Sequence, residues 1–154
     1  MTWKHAAVAL LAAALGAALL AAQSPPPVEL ELRYPDGTPV AWERWIGAHA
    51  PVAMVVWASW TPRSGEVLRR LGELRRAAED RGLSLVLVAV QEPVTDSRRA
   101  LEGVDVTWFH DGRGSVLKRF RVVRVPSLVV LDRGGRVLAR MESSPEALGS
   151  WEGR

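Results

Sequence analysis

Val55-Val56-Trp57-Ala58-Ser59-Trp60-Thr61-Pro62-Arg63-Ser64 is the stretch from which the fold is read. It closes a continuous apolar run over residues 50–57, of strand length and without alternation, as a central strand covered on both faces requires. The run ends on Trp57, Trp60 follows three positions on, and then comes a Thr-Pro pair. Thr61 is suited to cap a helix, and Pro62 to its first turn, where a missing N–H costs nothing. Val67, Leu68, Leu71, Leu74 and Ala78 then recur at helical spacing, with Arg69, Arg70, Glu73, Arg75 and Arg76 on the other faces. Gly82 is a natural stop. The stretch therefore predicts strand, turn and helix, with the helix opening at Pro62 behind the Thr61 cap.

Working downstream, residues 83–90 predict a second buried strand, and Thr95 or Asp96 can cap a helix reaching about residue 102. Residues 104–109 predict a third strand, 110–114 a turn, 115–120 a short helix and 121–125 a link. Residues 127–131 are a fourth strand, joined by the turn Asp132-Arg133-Gly134-Gly135 to a return strand at 136–142. The last residues give at most a short helix. Upstream, residues 28–34 alternate apolar and polar like a half-buried strand, and Pro35-Asp36-Gly37-Thr38 is a turn signal. Residues 40–45 read as a return strand or a helical turn. Strands alternating with helices, then a late hairpin, predict an α/β domain: a central mixed sheet with helices on both faces.

The chain has 154 residues, 48% of them hydrophobic, enough for one modest domain. A net charge of +3, from 20 basic and 17 acidic residues, is too balanced for a nucleic-acid binder. Lys4 and Lys118 are the only lysines, so the positive charge is carried almost wholly by arginine. Residues 1–24 read as an export signal: a short polar start at Lys4-His5, an apolar run from Ala6 to Ala22, and Leu20-Ala21-Ala22 as a small-residue cleavage site. The run sits at the lower edge of the roughly 17–25 residues that span a bilayer. Cleavage and retention as an uncleaved membrane anchor both stay open, and the expected location is extracytoplasmic, periplasmic or cell-envelope. Residues 25–27 form a Pro-rich spacer, 28–142 the domain, and 143–154 a tail or short helix.

A second anchor lies at Val125-Pro126-Ser127-Leu128-Val129-Val130-Leu131-Asp132-Arg133-Gly134-Gly135-Arg136-Val137. Together with Trp57-Ala58-Ser59-Trp60, it resembles the TlpA/ResA-like exported branch of the thioredoxin-like superfamily. There the first segment reads Trp-Ala-x-Trp-Cys-x-x-Cys, and the second an apolar-Pro-Thr step into an apolar strand and Asp-x-x-Gly. The resemblance covers about residues 28–142 and implies a thioredoxin-like fold, an extra N-terminal β-hairpin and a cis proline at Pro126 facing the active-site turn. The plainer reading of Pro126 is a trans proline that starts a strand.

The resemblance stops at the chemistry. Both cysteine positions are replaced, by Thr61 and Ser64, and the chain contains no cysteine. Disulfide exchange requires a thiolate, so dithiol redox catalysis is excluded and no catalytic residue is assigned. Arg63 stands where the family usually has Pro, and Val67 where many members have Glu. The candidate binding residues are Trp60, Thr61, Pro62, Arg63, Ser64, Val125 and Pro126. The helix start with Arg63 and the two hydroxyls suits an anion; the plainer reading makes Thr61 a cap and Arg63 a solvated charge. Val125 backbone groups suit pairing with an extended peptide, as the resemblance implies. Trp60 suits an exposed anchor or a partly buried core position. His49 and His110 have no second ligand at a metal spacing, so neither metal nor cofactor is expected. The leading expectation is a non-catalytic domain binding a peptide or protein at the former active-site face. The alternatives are a glutathione- or anion-binding enzyme using Ser64 and Thr61, and a structural component of envelope or cytochrome biogenesis.

Overall fold

A computed structural model describes residues 26–153; the segment 1–24, read as an export signal or anchor, lies outside the described residues. Among the described residues, no helix is long and apolar enough to cross a membrane.

The elements follow in the order α1 (Trp42–His49), β1 (Val52–Trp57), α2 (Ser64–Arg69), α3 (Leu71–Glu79), β2 (Ser84–Val90), α4 (Val94–Ala100), β3 (Thr107–Asp111), α5 (Ser115–Arg119), β4 (Ser127–Leu131), β5 (Val137–Met141) and α6 (Pro145–Gly149). The five strands form one mixed sheet in the order β3-β2-β1-β4-β5. β1 pairs in parallel with β2 and antiparallel with β4, β2 in parallel with β3, and β4 antiparallel with β5. The thioredoxin-like architecture expected from the sequence is the one observed.

The unbroken apolar run explains why β1 is central. All six of its residues are buried, and the two-residue strand period sends them to opposite faces. Val52, Met54 and Val56 join a core with Trp42 and Ile46 of α1, Phe109 of β3, Val116 of α5 and Phe120. Ala53, Val55 and Trp57 join a second core with Val67 of α2, Leu71, Leu74 and Ala78 of α3, and Leu148 of α6.

Three expectations are corrected, and one left open is decided. Residues 28–34 form no strand; the predicted hairpin is reduced to a single bridge, Arg33 with Pro39, closed by Tyr34 N–H to Thr38 C=O at 2.8 Å. Pro39 has no N–H with which to extend a ladder, and Arg33 bridges His110 at the edge of the sheet instead. Of the two readings of residues 40–45, the helical turn is the one observed: they enter α1, because Trp42 and Ile46, a helical turn apart, both bury on the first core. The long helix expected after Thr61 starts only at Ser64 and bends at Arg70, whose backbone leaves helical values (φ −102°, ψ 11°). His110 and Asp111 belong to β3 rather than to a turn, because both pair with β2. The hairpin turn at 132–135 forms as read: the Asp132 carboxylate accepts the Gly134 and Arg136 N–H groups, both at 2.9 Å, and Gly135 takes φ 74°.

Candidate functional site

The end of β1 is tied to the start of α2 by Trp57, whose indole N–H donates to the Ser64 carbonyl at 3.0 Å. This link decides where the turn residues face. Ser64 is 1% exposed and Thr61 8%. Their hydroxyls bond each other, and the Thr61 hydroxyl also donates to Ala58 C=O at 3.4 Å. Thr61 therefore does not cap the helix with its side chain, contrary to the expectation. Its hydroxyl is held inside the turn, and its carbonyl accepts the Ser64 N–H at 3.2 Å. The two hydroxyls mark the former thiol positions but face each other, not solvent.

Arg63 and Pro126 do come together. Both line a groove of about 470 Å³ with Arg121, Val123, Arg140 and Glu142. They also line a second, of about 280 Å³, with Glu66, Arg70 and Glu146. Arg63 is ion-paired with Glu142 and both side chains are more than half exposed, so Arg63 is neither a bare anion donor nor a merely solvated charge. The carboxylate raises the guanidinium's proton affinity through their hydrogen bond. The Val125–Pro126 peptide bond is cis. The Val125 side chain packs toward the first core, while its N–H and C=O make no hydrogen bond among the described residues. Pro62 is exposed. Trp60 is 59% exposed and lines neither groove.

Glu92 was not singled out by sequence reasoning. It is 7% exposed, and its carboxylate accepts Ser59 N–H at 2.8 Å, Ser59 O–H at 2.6 Å and Ser97 O–H at 2.7 Å. It thus clamps the turn after β1 to α4. Its only sequence signal is a carboxylate two residues past a buried strand. Glu92→Ala strands these donors, that of Ser97 fully buried, and is expected to cost about 2–3 kcal/mol, measured by urea unfolding; a loss within experimental error contradicts the clamp. Asp111 was likewise read only as a turn residue. It is fully buried, and its carboxylate accepts the Val116 N–H at 2.8 Å at the start of α5.

Beside the smaller groove, Arg70 pairs with Glu73 at 2.8 Å and with Glu146. The Arg70 hydrogen bond holds the Glu146 carboxyl below its usual range. A lowered folded-state value gives stability that is present above the unfolded value and is lost as pH falls through the folded one. The stability lost on acidification from about pH 5 to about pH 3 is therefore expected to be smaller in Glu146→Gln than in the native chain. Equal losses in the two proteins contradict this coupling.

The comparisons with known proteins agree with this geometry. A family model described as thioredoxin-like matches residues 49–137, more than half the chain, and the chain belongs to that family. Solved structures share the fold. DsbF of MTB, solved in mixed oxidized and reduced forms, is 21% identical, with 82% of this chain and 95% of that one covered at a TM-score of 0.64. A secreted Mycobacterium tuberculosis disulfide oxidoreductase, described as homologous to E. coli DsbE, is 17% identical, with 79% and 92% covered at 0.59. A thiol-disulfide oxidoreductase of Bacteroides fragilis is 16% identical, with 75% and 89% covered at 0.59. No curated protein matches the chain. The fold is thus one that serves thiol-disulfide oxidoreductases, in a chain that has no thiol.

Proposed function

We propose that this protein is an exported, non-catalytic thioredoxin-like domain that binds an extended peptide or protein segment at the former active-site face. The observation that carries the reading is the free backbone of Val125 beside the groove shared by Arg63 and Pro126. A chain laid along such a backbone gains main-chain hydrogen bonds without needing a reactive group. Export is supported by the signal-like character of residues 1–24 and by the secreted relative among the structural neighbours. A glutathione-type enzyme using Ser64 and Thr61 fits less well, since both hydroxyls are buried and bonded to each other.

The test is a titration of the 15N-labelled protein with unstructured peptides, followed by amide and indole resonances. Shifts are expected at residues 123–127 and around Trp60, and Trp60→Ala should weaken binding. Shifts confined to the opposite sheet edge at β3, or none with any peptide, would overturn the reading.

A further inference from the structure

The link between α5 and β4 carries more than a free carbonyl. Val122 N–H still bonds back to Leu117 C=O at 2.9 Å, but the N–H groups of Val123, Arg124 and Val125 have no partner among the described residues. Val123 is 100% exposed, in a protein whose other valines mostly sit in the cores. It is flanked by exposed Arg121 and Arg124, and Arg140 reaches the same groove from the end of β5. Four arginines thus line one groove of about 470 Å³ with a single carboxylate, Glu142, which is already paired with Arg63. Arg121, Arg124 and Arg140 have no acidic partner within salt-bridge distance among the described residues. Arg140 is oriented from behind, its Nε donating to Phe120 C=O at 2.8 Å, which leaves the rest of its guanidinium for a ligand.

The chain as a whole is close to charge balance, so this unpaired positive charge is a local concentration. Guanidinium forks match carboxylates in pairs of hydrogen bonds. Free N–H groups along the same link match the backbone of an extended chain, and an exposed valine between arginines suits alternating acidic and apolar side chains. We propose that the groove between residues 121–126 and the end of β5 selects an acidic, extended peptide segment. Its carboxylates lie on Arg121, Arg124 and Arg140, and an apolar side chain covers Val123 and Met141. This selectivity rests on the peptide-binding reading above. A nucleic acid or an anionic membrane would use the charge but neither the valine nor the free amides.

The test is fluorescence anisotropy of the full chain with two labelled peptides, one alternating Glu and Val and the other carrying Gln in place of every Glu. Exposed charge pairs contribute modestly, about threefold in affinity for each arginine. The Glu peptide is therefore expected to bind at least about tenfold more tightly than the Gln peptide. The difference should shrink at high salt, where the screening length is about 3 Å at 1 M. Arg121→Gln/Arg124→Gln should remove most of the difference, and an unchanged thermal unfolding midpoint would exclude misfolding. Equal affinity for the two peptides overturns the acidic selectivity and leaves the peptide-binding reading standing. Binding of neither peptide overturns both. Displacement of the Glu peptide by anionic lipid vesicles or by an oligodeoxythymidylate, with the valines of the peptide dispensable, overturns the peptide as occupant in favour of a general polyanion.

Discussion

Trp57→Ala is expected to lower stability by about 4 kcal/mol, in the range seen for large aromatic deletions in cores. Trp57 is 1% exposed, the largest of the fully buried side chains among the described residues, and packs in the second core between β1 and the helices α2 and α3. Truncation leaves a cavity there and also strands the Ser64 carbonyl, which receives the indole N–H at 3.0 Å. Domains of this kind are stable by only about 5–15 kcal/mol in total, so the loss approaches unfolding. Trp57→Phe separates the two parts: it keeps most of the ring packing and removes the hydrogen bond, for about 1 kcal/mol plus repacking. Urea unfolding measures both. A loss below about 1 kcal/mol in Trp57→Ala would show that the indole does not hold the turn.

Thr61→Cys/Ser64→Cys is expected to turn a frame without cysteine into one that closes a disulfide. The two hydroxyls already touch each other across the turn, so sulfur atoms placed there have a partner without a large backbone shift. The reaction runs by thiolate attack of position 61 on a substrate disulfide, with one substrate sulfur leaving as a thiol. The thiol at position 64 then displaces the second substrate sulfur and closes an intramolecular disulfide; the substrate takes up the two electrons that the variant loses. Mass spectrometry after mild oxidation should show the loss of two hydrogens, and insulin reduction should rise above the background rate, which the native chain cannot exceed by dithiol exchange. Two free thiols after oxidation would show that Arg63, ion-paired with Glu142, has reset the turn beyond what the hydroxyl contact indicates.

How much was legible follows from which interactions are local. The apolar run at β1, the strand at β4 and the turn at 132–135 were readable because their burial and turn chemistry lie within a few residues of sequence. The long helix after Thr61 was placed too early, because a Thr before Pro is a good cap only if its hydroxyl is free. Here it is engaged by Ala58 C=O and Ser64. The hairpin expected from residues 28–34 and 40–45 shrinks to one bridge for a similar reason: alternation announces a strand, but Arg33 pairs with Pro39 alone on that side and with His110, far along the chain, on the other. The Ser59 end of the Glu92 clamp and the Arg63–Glu142 pair are not legible in the sequence because these partners lie 33 and 79 residues apart.

The sequence by itself determined the fold family and the absence of dithiol chemistry, since both rest on residue identity: the two tryptophans, the proline before β4 and the lack of any cysteine. Only the tertiary structure decided which of the candidate residues are exposed and which are paired. It turned Thr61 and Ser64 inward and paired Arg63 with Glu142. It also gathered Arg121, Arg124 and Arg140 around one groove. Exposure and charge proximity are properties of distance in space, and a sequence carries them only where neighbours along the chain are also neighbours in the fold.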